Sequence, residues 1–281
     1  MWPEFREYLD MRSGFAVSLI LLCVSSPSFA QENLPELDPA NYTRLLLPIA
    51  FSGDKPGAFG SIWRSDLVHR NDGLSPVVVT QLYPLCQITC PGYLIVNRVP
   101  PRSEGFFTPD NDTVFTSNLG ILVYVQKHGA DRVFWSVRVR DISRSGQGLG
   151  AEVPVVREID SFEERAVILN VPQDPIYRVL LRVYSFNGPG EVAAAIIGSS
   201  REHEWSSMIL RLKGGSADRT QFVPNPGYTE VSIMPDTFPV LVGSSSFRIE
   251  FESLTPGLKF WPMVSVTNNE TQQFTIATAQ R

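Results

Sequence analysis

The stretch VFWSVRVR, Val133 to Arg140, decides the fold class. Val133, Trp135, Val137 and Val139 alternate with Phe134, Ser136, Arg138 and Arg140. Successive side chains of an extended chain point to opposite faces, so this alternation turns one face to a core and the other to water. The same period runs through Tyr177, Val179, Leu181 and Val183 against Arg178, Leu180, Arg182 and Tyr184. It returns in Phe247, Ile249 and Phe251 against Arg248, Glu250 and Glu252. Half-buried antiparallel strands carry this pattern.

Working outward, the alternating runs are separated by turn chemistry. Ser52-Gly53-Asp54-Lys55-Pro56-Gly57, Asn71-Asp72-Gly73, Asn187-Gly188-Pro189-Gly190 and Pro224-Asn225-Pro226-Gly227 combine residues that permit positive φ with prolines that fix φ. Fifteen strands are predicted, near 44–51, 62–70, 76–83, 93–99, 104–108, 119–126, 132–142, 164–171, 177–186, 191–198, 207–213, 229–234, 246–254, 259–267 and 272–278. No convincing amphipathic helix competes, since Ala193-Ala194-Ala195 runs into the β-branched pair Ile196-Ile197. The expected fold is all-β.

Composition fits a folded, non-nucleic-acid-binding chain. The 281 residues are 43% hydrophobic and 19% charged, too apolar for disorder. With 24 basic against 29 acidic residues the net charge is −5, which supplies no surplus to grip a phosphate backbone.

The N-terminus reads as an address. Phe15 to Val24 (FAVSLILLCV) is apolar, with Arg12 before it and Ser28-Phe29-Ala30 after it. A basic start, a short apolar stretch and small residues at positions −3 and −1 make a secretory signal, cut between Ala30 and Gln31. The run is too short to cross a bilayer, which takes about 20 apolar residues. Glu4, Glu7 and Asp10 give residues 1–10 an acidic character foreign to such a leader, so translation is expected from Met11. Cys23 follows Leu22 rather than a small residue, which argues against a lipid anchor. The expected product is secreted or periplasmic, without membrane insertion.

Cleavage leaves two cysteines, Cys86 and Cys90. In an oxidising compartment a lone pair is read as a disulfide. A flat strand would hold the two Cα atoms ~13 Å apart, beyond the ~4.4–6.8 Å a disulfide accepts, so the chain must turn within Gln87-Ile88-Thr89.

The Gly/Ser-rich stretch Ser143-Arg144-Ser145-Gly146-Gln147-Gly148-Leu149-Gly150 marks a boundary. It divides the chain into residues 1–30 (over-long start plus signal peptide), a 31–43 linker, a first domain at 44–145 and a second at 150–281. Each domain has the size of an Ig- or fibronectin-like antiparallel sandwich, giving two in tandem.

Several strings also resemble a group of secreted bacterial β-sandwich proteins of unknown function. The opening strings are Leu47-Pro48-Ile49-Ala50, Pro56-Gly57-Ala58-Phe59-Gly60-Ser61 and Trp63-Arg64-Ser65-Asp66-Leu67-Val68. Gln147-Gly148-Leu149-Gly150 resembles the close of the same module, and Leu254-Thr255-Pro256-Gly257-Leu258-Lys259-Phe260-Trp261 through Ser265-Val266-Thr267-Asn268-Asn269-Glu270-Thr271 resembles the group's ending. The resemblance implies secretion and an all-β fold, and brings no activity and no functional residue with it.

Motifs for chemistry are sparse. His69, His128 and His203 lack the spacing of a zinc site, and Arg201-Glu202-His203-Glu204-Trp205 reads as a solvated loop. No G-x-S-x-G, P-loop or dinucleotide fingerprint is present. Glu250 and Glu252 lie two apart on one strand face, ~7 Å from each other, a spacing compatible with glycoside hydrolysis but also with an ordinary outward face. Asp110-Asn111-Asp112-Thr113 departs from an EF-hand loop and reads as a turn. Trp63 and Trp135 share faces with apolar residues and are expected in the core, whereas Trp205 is less determined. Trp261 lies on a strand apolar on both faces, the mark of an inter-domain contact or a partner surface.

The expected function is therefore a secreted, non-catalytic module that binds, adheres or serves as structure. It would use no cofactor or metal and would meet an extracellular ligand or protein partner. The alternative is a secreted carbohydrate-active protein, either a glycan-binding module or a glycosidase using Glu250 and Glu252.

Overall fold

Val133, Val137 and Val139 are buried and Phe134 is exposed, as period two requires of a half-buried strand. Phe247, Ile249 and Phe251 are likewise buried, with Arg248, Glu250 and Glu252 on the outward face. The computed structural model describes residues 37–51, 53–83, 93–106, 120–144, 150–200, 204–223 and 225–281. The leader with its Ala30–Gln31 cleavage position, Cys86 and Cys90, residues 110–113, residues 145–149 and residues 201–203 lie outside the described residues.

Among the described residues ten strands occupy the N-terminal part. They are β1 (Tyr42–Leu47), β2 (Lys55–Pro56), β3 (Ile62–Asn71), β4 (Val77–Tyr83), β5 (Tyr93–Val99), β6 (Ser103–Phe106), β7 (Ile121–Gln126), β8 (Val133–Asp141), β9 (Ala151–Val153) and β10 (Val156–Arg157). Eight follow: β11 (Arg165–Pro172), β12 (Tyr177–Ser185), β13 (Gly190–Gly198), β14 (Trp205–Leu212), β15 (Gly227–Ile233), β16 (Ser246–Ser253), β17 (Phe260–Asn268) and β18 (Phe274–Thr278). Among the described residues there is no α-helix, only 3-10 turns. Each predicted strand segment overlaps one of these, and only the short strands β2, β9 and β10 were not anticipated.

The described strands form four antiparallel sheets. Sheet I has the order β10-β1-β7-β4-β5, and sheet II the order β2-β3-β8-β9 with β6 also paired to β3. Sheet III runs β15-β12-β17-β18 and sheet IV runs β11-β16-β13-β14. Among the described residues every strand pairing stays within β1–β10 or within β11–β18. The change of allegiance falls between Arg157 and Arg165, because β9 pairs back to β8 and β10 back to β1. The architecture is all-β and sandwich-like.

The cores follow from the alternation. Leu67, Val137 and Val139 line the inner face of sheet II, while Val179, Leu181, Val183, Ile249 and Phe251 are buried in sheets III and IV. Each such side chain contributes about 1.5–3 kcal/mol relative to remaining in water.

Strand β12 departs from the half-buried expectation. Its second face carries Arg182, only 7% exposed, and Tyr184, fully buried. The reason is non-local: this face of sheet III is covered by the N-terminal strand set. Tyr184 donates its hydroxyl to the Pro48 carbonyl at 2.5 Å. Arg44 on β1 donates to the carbonyls of Phe186 at 2.7 Å and Asp218 at 3.1 Å. The Tyr124 hydroxyl on β7 accepts the Val223 N–H at 2.7 Å, and its ring meets Phe222 edge-on. Trp261 pairs with Tyr184 in register and is buried beside it, so the doubly apolar strand does mark an internal contact.

Candidate functional site

The same period that builds the core gathers a polar and aromatic surface on the second face of sheet III. Arg178, Leu180, Arg182 and Tyr184 project from β12, opposite Thr267, Ser265, Met263 and Trp261 of β17. Strand β15 sets Glu230 beside Arg182 and Tyr228 beside Tyr184, and β18 sets Phe274 beside Thr267. Facing them are residues 48–51 and 53–60, with the short strand β2, followed by Trp63 on β3.

Gly57 allows the close approach on that side. A Cβ there would collide with the Ser61 hydroxyl and the Trp63 indole, so glycine lets the ring approach the backbone closely. Trp63 is paired with Lys55 across β2 and β3, and its ring meets Phe274 edge-on at 5.7 Å. Trp63 is thus half-buried at the junction of the two strand sets rather than in the core of one.

Between these surfaces opens a cavity of about 660 Å³. The N-terminal wall includes Phe51, Lys55 and Trp63, and the C-terminal wall includes Arg178, Arg182, Ser265 and Phe274. Small-molecule sites run to about 300–1,000 Å³ and combine apolar lining with a few convergent polar groups.

Its charges are unequally matched. Arg182 donates from Nε to Glu230 Oε2 at 2.8 Å and from Nη1 to Ser265 Oγ at 2.9 Å, while Tyr228 donates to the same carboxylate oxygen at 2.5 Å. Burial presses the Arg182 pKa down, but Tyr184, Glu230 and Tyr228 more than offset it, and the net displacement is upward. Burial raises the pKa of both Tyr184 and Tyr228, which stay protonated. Asp54 accepts from Arg64 Nε at 2.8 Å, and that hydrogen bond holds its carboxyl below the ordinary range.

Lys55 and Arg178 differ. Neither has a carboxylate within 4.0 Å among the described residues, and burial pulls both pKa values down. Arg178 stacks over Phe59 at 5.7 Å and reaches Gln272 Oε1 at 3.5 Å, too long for a strong bond. The chemistry on offer is capture of an anionic oxygen group beside an aromatic surface.

Among the described residues, those weighed for chemistry from sequence lie elsewhere, Trp63 excepted. Glu250 and Glu252 point outward on β16 beside a groove of about 490 Å³ that crosses Ala193 and Ala195. Each is held by a guanidinium, Arg248 at 2.9 Å and Arg165 at 3.3 Å. Trp205 is 67% exposed on β14, on a different sheet from buried Trp261. Trp135 is half-buried against His69, with ring centroids 5.4 Å apart. Burial lowers the His69 pKa. His128 borders a small polar pocket in the turn after β7. Among the described residues no three His, Cys, Asp or Glu side chains cluster as a metal site.

Sequence reading missed Lys55, Arg178, Arg182, Glu230 and Phe274. The usable signal was the pair of arginines four apart on β12, whose strand face also carries Leu180 and Tyr184. Only the register with β17, which adds Trp261 and Met263, distinguishes this from a solvated face.

Among the described residues no helix is long and apolar enough to cross a membrane. No protein-family model, curated protein or solved structure matches this chain.

Proposed function

We propose that the chain is a secreted, non-catalytic binding protein of two tandem Ig- or fibronectin-like sandwiches, and that its ligand occupies the cavity between them. In this reading the seam between domains lies at residues 158–164, where strand pairing changes sides. The observation that carries the proposal is a 660 Å³ cavity with one wall from each strand set. The described lining residues include no histidine or cysteine, and the one carboxylate among them, Asp54, is engaged by Arg64, which supports binding over turnover. The leader-like sequence at 12–30 supports secretion, and sequencing the exported form should begin at Gln31.

Ligand-observed NMR with a fragment library on the full chain tests the site. Ala58 lines the cavity and is exposed, so Ala58→Trp fills it with little effect on the core. The hits should vanish in that variant. Hits that persist would place binding elsewhere.

A second reading, a carbohydrate-active protein, draws on the outer face of sheet IV, where Trp205 stands exposed near the Glu250–Glu252 groove. Glycan turnover that Glu250→Gln abolishes would replace the first reading with this one.

A further inference from the structure

We propose that the cavity selects organic anions, an acidic oxygen group docking between Lys55 and Arg178 with its ring or apolar body on Trp63 and Phe274. This rests on the cavity being the ligand site, as proposed above. Counting the lining charges with their direct partners gives four cations, Lys55, Arg64, Arg178 and Arg182, against two carboxylates, Asp54 and Glu230. Both carboxylates are already engaged, Asp54 by Arg64 and Glu230 by Arg182 and Tyr228. The excess of two positive charges therefore falls on Lys55 and Arg178, one on each wall. That excess is local, since the whole chain carries −5.

Partly buried cations without counter-ions lose hydration and gain no opposite charge, and an incoming anion supplies one. The guanidinium of Arg178 presents a planar fork suited to a carboxylate or phosphate, and Thr267 sits directly across the ladder from it as a hydroxyl donor. Phe274 is the next partner of Thr267, and its ring touches Trp63. Acidic and apolar subsites are therefore adjacent, and they match a ligand with one acid on a compact body. By the same charges a cationic ligand is rejected.

The outer groove of sheet IV has no such imbalance at its paired carboxylates, because Arg248 and Arg165 already match Glu250 and Glu252.

Three probes on one ring system test the selectivity by calorimetry with the full chain: 2-naphthoate, 2-naphthyl phosphate and the neutral 2-naphthalenemethanol. Both anions should bind at least tenfold more tightly than the alcohol, and their order tells whether carboxylates or phosphates are the favoured source. Arg178→Gln and Lys55→Gln should each weaken the anions about tenfold and move the alcohol less than twofold, while Arg178→Lys restores part of the loss. Equal affinity for alcohol and anions, or anion binding untouched by Arg178→Gln, overturns the selectivity. Alcohol binding that Ala58→Trp removes would then leave the cavity standing as a ligand site. No heat from any probe at millimolar concentration removes both proposals.

Discussion

Replacing Arg182 with methionine removes a guanidinium that is almost wholly buried and leaves its partner behind. The Nε–Oε2 distance to Glu230 is 2.8 Å, and the two side chains are 9% and 35% exposed. Breaking a buried pair from one side costs about 3–5 kcal/mol, most of it the stranded charge. Glu230 keeps some water, so the lower end applies, about 3 kcal/mol. Methionine keeps much of the volume, which limits any cavity contribution to about 1 kcal/mol. For a unit of this size about 3 kcal/mol lowers Tm by roughly 6–12 °C. Urea unfolding followed by tryptophan fluorescence, alongside calorimetric Tm, reads the effect. The double variant Arg182→Met/Glu230→Leu replaces both charges with apolar groups and should return to within about 1 kcal/mol of the parent. A single variant within about 1 kcal/mol of the parent, or a double variant as unstable as the single, would refute the stranded-charge argument.

Three other outcomes follow from the geometry. Gly57→Ala forces the Trp63 indole off the backbone and should cost about 1–3 kcal/mol, with a shifted tryptophan emission maximum as the local signature. Asp141 is buried, which by itself raises its pKa, but donation from the Ser143 hydroxyl and the Ile62 and Ser143 N–H groups outweighs this and lowers it. Its stabilisation is thus present above the ordinary carboxylate range, near pH 4, and lost as pH falls through the depressed folded value. An acid titration of the urea midpoint should show a shallower fall for Asp141→Asn, and an unchanged slope would count against the assignment. Arg44→Met removes two bonds between the N-terminal and C-terminal strand sets and should cost about 2–3 kcal/mol in chemical denaturation.

Much of the fold was legible because strand formation here is a local, repetitive property. Val133 to Arg140 and Phe247 to Glu252 carry their inside and outside in the order of their side chains, and the structure buries the expected members except Trp135, which is only half-buried. The two-residue strands β2 and β10 and the three-residue β9 are too short to display a period. They are strands only because β3, β1 and β8 offer them hydrogen-bonding edges. That is also why the stretch after Gly150 reads from sequence as the start of a further domain, although β9 pairs with β8 of sheet II and β10 with β1 of sheet I.

The candidate site lay further from view. Alternation told which side chains of β12 share a face, and nothing in the chain order tells whether that face meets water or another sheet. Tyr184 and Arg182 are buried because residues 48–51 and 53–60, more than a hundred positions earlier, fold back over them. Lys55 and Arg178 become neighbours of one cavity by the same return of the chain, and the charge excess exists only once Asp54 and Glu230 have found their arginines. Period-two patterning settles secondary structure because it acts between adjacent residues. The pairing of faces, and with it the cavity, depends on contacts between segments that sequence order leaves far apart.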